Sequence, residues 1–83
     1  MSFKRYDVIT FDENDKVVVL EALKHDEIEY LYVDTINEEE NELLEKYKVL
    51  KVNYQDGTLD KVTDINILNT LIPLFKDALS KYN

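Results

Sequence analysis

The sequence predicts an α+β fold: an antiparallel β-meander of four to five strands, a short acidic helix or loop after strand three, and a C-terminal helix packed on the sheet. Three observations carry this. Short runs of apolar, β-branched and aromatic residues alternate with polar ones, Asn, Asp and Gly separate those runs, and the last segment switches to apolar spacings of three and four. Eighty-three residues make a single domain, 1–83, since this length lies near the lower end of what closes a core without covalent or metal staples.

Each element follows from its residues. Tyr6 to Phe11 (YDVITF) alternates with a period of two, as a strand does. Asn14-Asp15 supply the left-handed backbone of a tight turn, because their short side chains bond locally to the main chain. Lys16 to Lys24 (KVVVLEALK) is apolar on both faces around Val17, Val18, Val19 and Leu20, which predicts a central strand. After a turn at His25-Asp-Glu27, Ile28 to Val33 (IEYLYV) is a third strand. Tyr47 to Tyr54 (YKVLKVNY) resumes the alternation. Asp56-Gly57 turns it with the chain's only glycine, and Thr58 to Val62 pairs back.

Asp64 is placed as an N-cap, and Ile65, Leu68, Ile72, Phe75 and Leu79 line one helical face after it. Pro73 interrupts that segment. A proline inside a helix forfeits a hydrogen bond and clashes with the preceding turn, at roughly 3 kcal/mol. A short helix ending near Asn69 and a second from about residue 70, with Pro73 in its first turn, is therefore the expectation; one kinked helix is the alternative.

The segment Asp34-Thr-Ile-Asn-Glu-Glu-Glu-Asn-Glu-Leu-Leu-Glu45 holds six acidic residues in twelve positions. Asn37 followed by Glu40 is a capping-box pattern, Glu38, Glu39 and Glu40 suit a first turn, and Leu43, Leu44 and Tyr47 give a narrow apolar stripe. A helix over about residues 38–46, bridging strands three and four and docked by its leucines, is the economical reading, with Glu42 and Lys46 as an i, i+4 pair. A solvated connection that aids solubility is the plain alternative.

Charge sharpens the question. The net charge is −8, and all of that imbalance falls between residues 25 and 46, where nine acids face Lys46 alone. Any electrostatic function belongs there. The acidic balance argues against direct nucleic-acid binding, which needs Lys and Arg to displace counterions from phosphates.

Other chemistry is thinly supplied. Without cysteine there is no disulfide, thiolate zinc site or thiol nucleophile. His25 is the sole histidine, and Ser2 and Ser80 stand at opposite ends, so no hydrolytic triad is in prospect. A single glycine rules out phosphate-binding glycine loops. Asp12, Asn14 and Lys16 imitate the start of a calcium loop, but lysine fills the third ligand position and the bidentate glutamate is missing. No cofactor, metal site or catalytic residue is predicted, and the protein is not expected to be an enzyme. The stretch MSFKRYDVITFDEND lacks an apolar run of signal-peptide length and Val17 to Leu20 is the longest apolar run, so a cytoplasmic protein without membrane association is expected.

The order Ile9-Thr-Phe-Asp-Glu-Asn-Asp15, Ile28-Glu-Tyr-Leu-Tyr32, acidic spacer, Asp56-Gly-Thr-Leu59 and Thr63-Asp64 resembles the YrzB-like family of small acidic proteins of low-GC Gram-positive bacteria, across roughly Asp7 to Leu79. In that family the terminal helix opens with acids and an aromatic, from which Asp64-Ile-Asn-Ile67 and Pro73 depart. The resemblance implies no reaction, cofactor or known site.

What the residues support is a protein-interaction or regulatory module. Its candidate contacts are Glu38, Glu39, Glu40 and Glu42 flanked by Tyr30 and Tyr32, since carboxylates meet a basic partner and tyrosines supply rigid amphipathic area. An acidic mimic of nucleic acid, blocking a basic channel of a nucleic-acid-binding protein, is the alternative. An edge strand, Tyr6 to Phe11 or Thr58 to Val62, leaves a homo-oligomer by strand addition open.

Overall fold

The computed structural model describes residues 3–12, 15–37, 39 and 42–81. Five strands, β1 (Val8–Asp12), β2 (Asp15–His25), β3 (Ile28–Asn37), β4 (Glu42–Asn53) and β5 (Thr58–Lys61), precede one helix, α1 (Ile65–Ser80). All pairings are antiparallel and the spatial order is the chain order, so the meander expected from the sequence is present, with β1 and β5 at the edges. Asn14, assigned to the first turn, lies outside the described residues; Asp15 already belongs to β2.

The sheet buries both faces. Val17, Val19, Leu31, Val33, Leu50 and Val52 form one cluster on the side away from the helix, with Phe3, Ile9, Ala22 and Leu59 against it. Curling of the sheet closes this cluster, because strand twist accumulates across five strands and brings inner side chains together. On the other face Tyr30 and Val49 pack with Leu71 and Phe75 of α1, joined by Leu23, Tyr32, Val62 and Leu68.

As expected for a central strand, β2 lies between β1 and β3 with Val18 buried on one face and Val17 and Val19 on the other, and a bulge follows. Val19 pairs with Val33 but Glu21 pairs with Tyr32, so Leu20 is the extra residue and the alternation changes phase there. Val17 and Val19 therefore face the inner cluster before the bulge and Ala22 after it, while Leu23 turns to the helix.

The turns follow local chemistry. Asp26 and Glu27, with φ of 52° and 67°, make a two-residue turn between the paired His25 and Ile28. His25 thus ends a strand, half-buried, 3.5 Å from the Asp26 carboxylate, and the turn itself is shorter by one residue than expected. Between β4 and β5, Gly57 takes φ of 67°, and the Asn53 side-chain oxygen accepts from the Gln55 and Asp56 N–H groups at 3.1 and 3.3 Å.

Two expectations need correction. First, Pro73 does not divide the terminal segment: α1 is a single helix containing it, opened by Asp64, whose carboxylate accepts from Asn66 N–H at 2.9 Å. The reason is position. Asn66, Asn69, Thr70, Pro73, Leu74 and Asp77 form the exposed face, so the Asn69 carbonyl freed by proline points to water, while fully buried Leu71 and Phe75 carry the helix through on the other side. Ile65, expected on the buried face, is exposed.

Second, the described part of residues 38–46 is not helical. β3 runs to Asn37 and β4 starts at Glu42, with Ile36 opposite Leu43 and Asn37 opposite Glu42. Helix propensity is a weak prior, and a ladder built by two long strands overrides it. Asn37 retains the cap-like habit, accepting from Glu39 N–H at 3.1 Å, yet no helix follows into Glu42.

Candidate functional site

The acidic half of β4 is held open by one buried carboxylate. Between the pairs Asp34–Tyr47 and Ile36–Leu43 the register slips by two residues, and Glu45 takes φ of 55° in the resulting bulge. Asp34, 1% exposed, closes it: one carboxylate oxygen accepts from Thr35 N–H at 2.8 Å and Lys46 N–H at 2.9 Å, while the Thr35 hydroxyl donates to the Lys46 carbonyl at 3.1 Å. Charge-assisted bonds of this kind offset the desolvation of the carboxylate. Asp34 therefore shapes the backbone from within.

Around it the start of β4 is exposed. Leu43, Leu44 and Tyr47 are exposed, and so are Glu39, Glu42 and Glu45. Leu43 and Leu44, expected to dock a helix, stand on a strand in contact with solvent.

Of the predicted contacts, Glu39 and Glu42 are exposed; Glu38 and Glu40 lie outside the described residues. Tyr32 is half-buried at the centre of a ring stack, 5.5 Å from Tyr47 at 11° and 5.3 Å from Phe75 at 21°. Burial, then Tyr47 and Asp34 nearby, raise its phenol above the ordinary 10.0. Tyr30 is 5% exposed in the cluster under α1, so its ring offers nothing to a partner. Tyr32 thus stacks against exposed Tyr47, whereas Tyr30 is withdrawn beneath α1. A groove of about 200 Å³ continues from the Tyr32 and Tyr47 rings to Lys48, Lys61, Leu68 and Ile72.

A different group escaped the sequence reading. At the opposite end of the sheet, Glu29 points inward with Leu31 and Val33, its Oε1 accepting from the Tyr54 hydroxyl. That bond, with burial and the Glu29 charge, raises the Tyr54 phenol above 10.0. The signal was available in the alternation of IEYLYV, which puts Glu29 on the same side as Leu31 and Val33. Asp34's role had no such signal, because its partner Lys46 is set by a bulge.

Among the described residues no three His, Asp or Glu side chains converge as metal ligands, and no helix is long and apolar enough to cross a membrane. The fold class is a curled antiparallel meander backed by a single helix. No protein-family model, no curated protein and no solved structure matches this chain.

Proposed function

We infer that this chain is a non-enzymatic protein-interaction or regulatory module of the cytoplasm, related to the YrzB-like proteins, and that it acts through the acidic edge of β4. One observation supports the reading above others. β4 has 12 residues and β5 has 4, pairing only with Leu50 to Asn53, so among the described residues no strand faces Glu42 to Lys48 on the side away from β3. An open sheet edge pairs with an extended segment, and pockets or side chains beside it choose which segment.

The occupant is a basic, partly apolar strand of another protein. Leu43, Leu44 and Tyr47 give it apolar contact, and Glu39, Glu42 and Glu45 favour Lys or Arg in it. A second copy fits poorly, since it would set Glu42 and Glu45 against their own equivalents. The same charges and bulge discourage indiscriminate edge pairing, which makes the edge selective.

The test is affinity capture at low and at raised salt, followed by binding of the recovered segment to variants. Leu43→Lys with Leu44→Lys should weaken binding at least about tenfold, and Glu39→Lys with Glu42→Lys should remove its salt dependence. Binding untouched by both pairs would refute the assignment. Recovery of a nucleic-acid enzyme that the protein blocks, with loss on charge reversal but not on changing the leucines, would favour the acidic-mimic alternative.

A further inference from the structure

The open edge of β4 has one regular place for a guest strand, and it lies at Tyr47. The Val62 N–H donates to the Val49 carbonyl at 2.9 Å, so Val49 turns its main-chain groups toward the β5 side. In an antiparallel ladder every second residue points its N–H and C=O the same way, and Tyr47 stands two positions before Val49 on β4. Its main-chain pair therefore faces away from β3. Lys61 closes β5 opposite Leu50, and Asp64 already caps α1, so among the described residues no strand meets Tyr47 on that side. Glu45, with φ of 55°, follows in the bulge and disturbs the ladder beyond.

A groove begins at the same residue. Tyr47, Val62, Leu68 and Ile72 line a space of about 200 Å³, with Tyr32 and buried Val49 among its other walls. Lys48 and Lys61 border it too, yet they pair with Val33 and Leu50, whose side chains belong to the cluster on the opposite face. What they present here is the main chain of the edge. The groove thus runs out onto unpaired backbone. Small-molecule sites usually measure roughly 300–1,000 Å³, so this smaller space suits a single side chain.

Resting on the reading of β4 as an edge that accepts a strand, we propose that this groove is the pocket for one large apolar side chain of the guest (Leu, Ile, Met or Phe), carried by the residue that pairs with Tyr47. Residues directly opposite one another share a face, and the Tyr47 ring stacks on Tyr32 at the groove wall. The guest runs antiparallel to β4, in line with β5. One antiparallel residue serves both main-chain groups of Tyr47, whereas a parallel strand divides them between two residues, one of which would fall at the bulge. In that direction the guest passes Lys48 first and exposed Glu45 and Glu42 afterwards. Its basic residues therefore follow the anchor.

The experiment is panning of a random-peptide phage library on the folded chain, then fluorescence-anisotropy titration of the most enriched peptide. Enriched sequences should share one large apolar residue with Lys or Arg on its C-terminal side. N-methylation of the anchor removes its N–H to the Tyr47 carbonyl and should weaken binding at least about tenfold. N-methylation of the next residue, whose N–H points away from β4, should be tolerated. Ile72→Trp fills the groove and should weaken the same peptide at least about tenfold, while a peptide with alanine at the anchor is unaffected. Should Ile72→Trp not fold, the two N-methyl peptides decide on the unaltered chain. Enriched peptides without a common apolar residue, basic residues ahead of the anchor, equal response to the two N-methyl positions, or full binding by Ile72→Trp would overturn this inference and leave the edge reading standing. No enriched peptide at all would overturn the edge reading, and this inference with it.

Discussion

Asp34 and the tyrosines show how single side chains set the limits of this small fold. Asp34 is part of the acidic run, yet it serves two backbone N–H groups inside a bulge. Asp34→Ala should cost about 1.5–3 kcal/mol in urea denaturation, the range for hydrogen bonds to a charged group, and Asp34→Asn less, because one acceptor oxygen remains. The tyrosines give a pH prediction. Tyr32 and Tyr54 both have phenols raised above 10.0 in the folded chain, so the folded state holds protons that the unfolded state releases. Their contribution is fully present below pH 10 and is lost as pH rises through the raised values. Denaturation midpoints should fall above pH 10, and Tyr54→Phe or Tyr32→Phe should each flatten that decline. Of these residues the sequence exposed the tyrosines by their strand pattern. It could not expose Asp34's task, because nothing local distinguishes a carboxylate in water from one closing a bulge.

At the scale of elements, the helix and β4 carry the contest between local and tertiary preference. Pro73 lies on the exposed face of α1, and the apolar face holding Leu71 and Phe75 continues past it. Pro73→Ala should therefore stabilise the protein by about 2 kcal/mol, the helix-interior penalty less the entropy that proline removes from the unfolded chain. Leu71→Ala should cost about 2–5 kcal/mol, as for other fully buried leucines. Denaturant titration with far-ultraviolet dichroism measures both. The N-cap at Asp64 and the Gly57 turn were readable because a cap and a positive φ each rest on one residue's own chemistry. The expected helix over 38–46 was misread for the converse reason: Leu43 and Leu44 have helical spacing, but pairing of Glu42 and Leu43 with Asn37 and Ile36 decides their state.

Across the whole molecule, charge and curvature act together. The imbalance of −8 falls within residues 25–46 of the sequence, while the curled sheet buries its own inner cluster. Repulsion among exposed Glu39, Glu42 and Glu45 is open to screening, so stability should rise by up to about 1 kcal/mol between 0.01 and 0.15 M salt. A variant with Gln at those three positions should lose most of that response in thermal melts at the two ionic strengths.

The amino-acid order by itself determined the antiparallel meander, its two tight turns and the amphipathic terminal segment, because alternation, turn chemistry and capping act over a few neighbouring residues. Only the tertiary structure decided that Pro73 stays within one helix, that Glu42 to Lys46 is strand, and that buried Glu29 accepts from the Tyr54 hydroxyl. Those outcomes depend on which distant groups come to face one another. A residue's neighbours in the chain do not specify that when bulges at Leu20 and Glu45 shift the register.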